Sequence, residues 1–194
     1  MRWPMHCKSA LRKSVLASLL LAGAAASELA LSPLVKDMFG AKAAAGAAPL
    51  GKAQACYIRV YDKPHLATHP QQNVRDMALL VTYQSDAEAG AVFNTRIGVH
   101  FRKLGSAFET GGGCGLAEGG KAINCSLDCD GGKIGVELRA AQTVYVRMPD
   151  GAPLWVPGDD AAETPKGARF GSYDRIFKLT RSNMRLCQSV LGKQ

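Results

Sequence analysis

The sequence predicts an all-β, mainly antiparallel fold: a single sandwich or small barrel-like domain with a short C-terminal helix. Three observations carry that expectation. Apolar and polar residues alternate with period two in successive segments, as in half-buried strands with one wet face. Glycine-rich and Asp-Gly turns punctuate those segments. No helical stretch long enough for a crossover separates them, which argues against a parallel α/β sheet.

At the N-terminus, Arg2, Lys8, Arg12 and Lys13 precede an uncharged apolar run from Val15 to Ala26 that ends in three alanines. Residues 1–26 therefore read as a secretory signal, which would deliver the chain to the periplasm or the exterior. Ser14 to Val35 approaches the roughly 20 residues of a membrane helix. Glu28 interrupts it, however, and Ala22–Ser27 is built almost entirely of small residues, so no transmembrane anchor is expected after processing. Ser32-Pro33 opens a short helix, with Ser32 as N-cap and Gly40 as the residue after its end. Residues 27–55 as a whole read as an Ala-rich linker or an extended leader, because Ala53-Gln54-Ala55 offers a second small-x-small cleavage site. The ordered domain is expected over 56–194.

Strand candidates follow. Tyr57–Tyr61 is the first. Met77, Leu79, Val81 and Tyr83 share a face, with Leu80 opposite. Phe93, Thr95, Ile97, Val99 and Phe101 alternate with Asn94, Arg96, Gly98, His100 and Arg102. Ala122–Leu127 and the Ile134, Val136, Leu138 strand flank Asp130-Gly131-Gly132, a hairpin signal. Val144, Val146 and Met148 form another strand and Tyr173–Leu179 the last. In the tail, Ser182 caps a helix on which Met184, Cys187, Val190 and Leu191 share one side.

Cys7 leaves with the leader, so Cys56, Cys114, Cys125, Cys129 and Cys187 remain as disulfide candidates in an oxidising compartment. Cys125 and Cys129 on one extended strand would lie about 13 Å apart, too far to bond each other. Cys114 can reach either, and joining Cys56 to Cys187 would tie the two ends of the domain together. One cysteine is left over, a free thiol or an intermolecular link.

Few constellations suggest chemistry. Gly115–Ala122 resembles a phosphate-binding loop but lacks the hydroxyl after Lys121 and runs into a strand, so it reads as a hairpin loop. His65 and His69 have the i, i+4 spacing of a metal-binding pair, although Pro70 disfavours helix at His69. Asp128 and Asp130 suit a turn better than a calcium loop. The long Pro- and Gly-rich run from Pro149 to Gly171 carries Trp155, an aromatic suited to recognition, or else docks Leu154-Trp155-Val156 as a short edge strand.

The formal charge of +8 falls to +4 over residues 27–194, or to +3 beyond Ala55. That modest excess argues against a nucleic-acid partner. Arg96, His100 and Arg102 share the wet face of one strand, and Lys133, Arg139 and Arg147 lie on others, which would give a modest cationic surface. The combined expectation is an exported, non-catalytic β-domain that binds a small apolar ligand inside a barrel, or a protein, glycan or other envelope component on its surface, with Trp155, Arg96, His100 and Arg102 as the candidate binding residues. No cofactor is implied. The alternative is a thiol- or metal-dependent enzyme, or a metal chaperone, using cysteines with His65, His69 or His100.

Overall fold

A computed structural model of the chain describes residues 33–40, 52–86, 90–127, 132–140, 142–148, 152–158 and 166–191. The signal region, Cys7, Ser32, the Asp128-Cys129-Asp130 triplet and most of the 149–165 stretch lie outside these residues. Eight strands form a closed barrel in sequence order. They are β1 (Lys52–Val60), β2 (Val74–Asp86), β3 (Gly90–Phe101), β4 (Ala107–Leu116), β5 (Ala122–Ser126), β6 (Lys133–Ala140), β7 (Thr143–Arg147) and β8 (Ile176–Ser182). Every pairing is antiparallel. Closure comes from β1, which pairs with β2 on one side and places Tyr57 opposite Arg181 of β8 on the other. The fold is thus the barrel of the two all-β forms predicted, and its strands follow the alternation that predicted them.

One face of each strand is apolar and points inward. Tyr57, Phe93, Phe101, Phe108 and Phe177 are all at most 1% exposed. With the aliphatic residues of all eight strands they form one continuous core. An eight-stranded barrel has an interior just wide enough for its side chains, or for one small ligand if they are small. Here five buried aromatic rings take up that room.

Both mouths are covered. At the upper mouth, helix α1 (33–39) drops Leu34, Val35 and Met38 into the core, each at most 2% exposed. Phe39 packs on Tyr83 and Phe93, with ring centroids 5.7 and 6.4 Å away. The Met38 carbonyl accepts hydrogen bonds from the Arg181 guanidinium and the Tyr57 hydroxyl, so the C-terminal turn of α1 is held by β1 and β8. Gly40, at φ 98°, ends α1 as the sequence indicates. The expected domain start at Cys56 is therefore too late. β1 begins at Lys52, Ala55 pairs with Val81, and α1 belongs to the core. Cleavage after Ala55 would cut within β1 and remove the helix that covers the mouth.

At the opposite, basal end the Trp155 backbone makes a two-hydrogen-bond bridge with Glu109 of β4, at 2.8 and 3.0 Å. This continues the wall beyond the short β5, and Leu154 and Ala152 are buried against the core. Phe170 meets Phe101 and Phe177 edge-on and completes the floor.

Outside the barrel, α3 (Met184–Val190) lies over β1 to β3. Its Cys187 and Val190 pack with Cys56, Ala78 and Leu80. Its cap is Asn183, which accepts from the Leu186 N–H at 2.9 Å, rather than Ser182, which ends β8. Gly98 is required here, because a Cβ would sit 2.8 Å from the Val190 carbonyl.

Two disulfides staple the fold. Cys56–Cys187 joins β1 to α3 across 131 residues, and Cys114–Cys125 links directly opposed positions of β4 and β5. Gly115–Ala122 is the β4–β5 hairpin, with Gly119 and Gly120 at positive φ.

Candidate functional site

The basal end brings together a set of polar side chains held at defined positions. After β1 the chain enters α2 (Lys63–Thr68), where Asp62 caps the helix by accepting from the His65 N–H at 2.7 Å. Pro64 starts the helix and His69 ends it ahead of Pro70. The segment ahead of Pro70 is thus about one and a half turns of helix, at roughly 3.6 residues per turn, anchored by the buried Leu66.

The two histidines are neighbours but do not converge. Their rings stack at 4.1 Å with an 11° interplanar angle, and Tyr61 stacks on the far side of His65 at 4.8 Å. His65 Nε2 lies 3.0 Å from Gln72 Oε1, and His69 Nδ1 lies 2.8 Å from the His65 carbonyl, an acceptor, so His69 donates there. A metal ion sits in the plane of each imidazole that binds it, at about 2.0–2.1 Å. Two parallel rings 4.1 Å apart cannot share one in that way. Among the described residues, no group of three or more His, Cys, Asp or Glu is placed to hold a metal. His65 and His69 form a hydrogen-bonded ledge instead, continued by the exposed Tyr173, whose ring meets His69 edge-on at 6.3 Å.

Beneath the ledge, Asp174 clasps the start of β2. Fully buried, its Oδ2 accepts from the N–H groups of Gly171 (2.7 Å), Asn73 (2.7 Å) and Val74 (3.2 Å), while Oδ1 has no partner among the described residues. Burial pushes this carboxyl above its ordinary value of 3.8, against the pull of the three N–H donors. Gly171 permits the clasp, since a Cβ there would lie 2.0 Å from the Gln71 carbonyl. This arrangement delays β8 to Ile176, three residues after the predicted Tyr173. The sign of the pH effect follows. Protonation is favoured in the folded state, so this group's contribution to stability is fully present below about 3.8. It is lost as pH rises through the raised folded value. Asp174→Asn keeps the acceptor but puts a buried NH2 where Oδ1 has no partner among the described residues, which costs stability at every pH. It is expected to remove that decline and to stay more stable than Asp174→Ala. Asp174→Ala strands three N–H groups and is expected to cost about 3 kcal/mol. Urea unfolding of both variants across pH checks this, and a silent Asp174→Ala would contradict it.

The cationic and aromatic residues singled out from sequence fall into four places. Arg96 makes a bidentate ion pair with Glu109, 2.8 and 2.9 Å from Nη2, and Glu109 is the residue bridged by Trp155. Glu109 is thus what brings Arg96 and Trp155 together, a role with no signal in the strand pattern. His100 places Nδ1 2.5 Å from Asp76 Oδ1, and Arg75 holds the same carboxylate at 2.9 Å. Burial raises Asp76, but these two partners outweigh it and hold the carboxyl below its ordinary value. Arg139 and Arg147 both face Glu137, at 3.0 and 3.7 Å, so that part of the expected cationic surface is charge-paired.

Arg102 differs. Its Nη1 donates to the carbonyls of His69 (3.2 Å) and Gln72 (3.3 Å), which fixes the guanidinium at the edge of a hollow of about 240 Å³. Lys103, Lys166 and Arg169 share that hollow, with the partly exposed Leu104 as its apolar side and the buried Phe101 bordering it. Gly167, at φ 102°, makes the turn that sets Lys166 and Arg169 on the same side. Of these four cations the strand pattern singles out Arg102 alone, and of the two readings of the 149–171 run the Trp155 bridge to Glu109 matches the short edge strand.

Among the described residues, no helix is long and apolar enough to cross a membrane. No protein-family model matches this chain, and neither the curated proteins nor the solved structures contain a match to it.

Proposed function

We propose that the chain is an exported, non-catalytic recognition domain that acts through the outside of its barrel, at the basal end, on a small-molecule, glycan or protein partner. The observation that supports this is the occupied interior. Five aromatic rings fill the barrel, α1 covers one mouth and the Phe170 segment the other. A carrier of apolar ligands needs that space empty. Two disulfides in a chain with a signal-like start favour an oxidising compartment. They also consume four of the thiols a cysteine-dependent enzyme would draw on.

The test is a titration of the disulfide-bonded protein with N-phenylnaphthylamine, an apolar dye that brightens inside hydrophobic cavities. No saturable signal is expected. One-to-one binding displaced by a fatty acid would overturn the reading.

A further inference from the structure

We infer that the basal hollow binds a phosphomonoester carried on a small sugar-like ring. This rests on the surface-recognition reading above and names the class of ligand.

Charge is the first argument. Arg102, Lys103, Lys166 and Arg169 converge on one concavity, and among the described residues none of the four meets a carboxylate. Four other arginines on the barrel, Arg75, Arg96, Arg139 and Arg147, each face an acid instead. Four like charges gathered with no acid among the described residues repel one another, and a ligand of opposite sign relieves that repulsion. A phosphomonoester carries about −1.5 to −2 at neutral pH, more than a carboxylate can supply.

Preorganisation is the second. Two backbone carbonyls already hold one nitrogen of the Arg102 fork. Its remaining N–H donors are left at the rim, in the planar geometry that suits phosphate oxygens. Asn73, also in the wall, is fixed in turn, because its side-chain amide donates to the Arg169 carbonyl at 3.2 Å and its backbone N–H to Asp174. The site is tied to the Asp174 clasp and to α2, not to side chains alone.

Size and lining are the third. At about 240 Å³ the hollow is smaller than the roughly 300–1,000 Å³ of pockets for drug-sized ligands. The partly exposed Leu104 gives it an apolar side, with the buried Phe101 bordering it, against which the C–H face of a ring can lie while the phosphate meets the cations.

Calorimetry on the disulfide-bonded protein tests the inference with glucose 6-phosphate, inorganic phosphate, glucose and vesicles containing phosphatidic acid. Glucose 6-phosphate is expected to bind at one site, more tightly than inorganic phosphate and less tightly as salt is added. Glucose is expected to be silent. Lys166 and Arg169 are exposed, so K166A/R169A should melt like the parent yet bind at least about tenfold more weakly, roughly the loss of one good charged contact. R102K keeps the charge but not the fork and should also weaken binding, whereas K178A on the barrel wall should not. No saturable heat from glucose 6-phosphate, or parental affinity in K166A/R169A, overturns the inference. Equal affinity for inorganic phosphate overturns the sugar component, and binding to the vesicles alone overturns the soluble ligand. Failure here with the apolar dye also silent leaves surface recognition standing, whereas saturable dye binding removes that reading whatever the calorimetry shows.

Discussion

Replacing Cys56 and Cys187 together by alanine is expected to lower the unfolding free energy by about 5 kcal/mol, the entropy of closing so long a loop in the unfolded chain. The bond spans 131 residues and ties the first strand to the last helix. It also lies where the barrel closes, since Cys56 pairs with Ser182 on one side and Leu80 on the other. Losing it frees α3 from the wall, where Cys187 is buried with Val190. For a chain of this size the loss corresponds to about 10–20 °C in melting temperature. The Cys114–Cys125 bond closes only an 11-residue separation, so replacing both cysteines should cost less, about 3 kcal/mol. Thermal melts of the two double variants rank them, and the reverse order would contradict the topology.

Gly112→Ala is expected to be comparably damaging, about 3 kcal/mol or more, beyond the usual range for an overpacked site. The reason is backbone against backbone. A Cβ on Gly112 would lie 1.9 Å from the Ser126 carbonyl oxygen, and one on Gly111 would lie 2.2 Å from that of Thr95. Neither neighbour is a side chain that can swing away. In contrast, a Cβ on Gly113 meets only the Asn94 side chain, at 3.8 Å, so Gly113→Ala should be mild. Urea denaturation of the two variants separates these cases. A Gly112→Ala protein as stable as Gly113→Ala would show that β4 and the end of β5 are not packed as described.

That pair of glycines illustrates what was legible in the sequence. Period-two alternation marked the strands because each is half buried, and that requirement is local. Why three glycines sit in the middle of β4 was not local: Ser126, which crowds Gly112, enters from another strand. The choice between sandwich and barrel was equally hidden, since it turns on Tyr57 meeting Arg181, and neither residue signals the other. Leu34, Val35, Met38 and Phe39 announced a helix, but nothing around them announced a barrel mouth to receive it. The candidate site divides in the same way. Arg102 stood out on its strand, whereas Lys166 and Arg169 reach it only through the turn at Gly167 and the Asp174 clasp. Asp174 was read as part of a strand because its three N–H partners come from Gly171, Asn73 and Val74, two of them far away in sequence. Glu109 gave no sign that it would pair with Arg96.

The central claim is that recognition takes place at the basal rim and not inside the barrel. Amide chemical-shift mapping during titration with glucose 6-phosphate tests it most directly. The account predicts shifts grouped on Asn73, Arg102, Lys103, Gly167 and Arg169, with Val81, Ile97 and Leu179 of the interior unmoved. Shifts concentrated on those interior residues and on Met38 of α1 would contradict it.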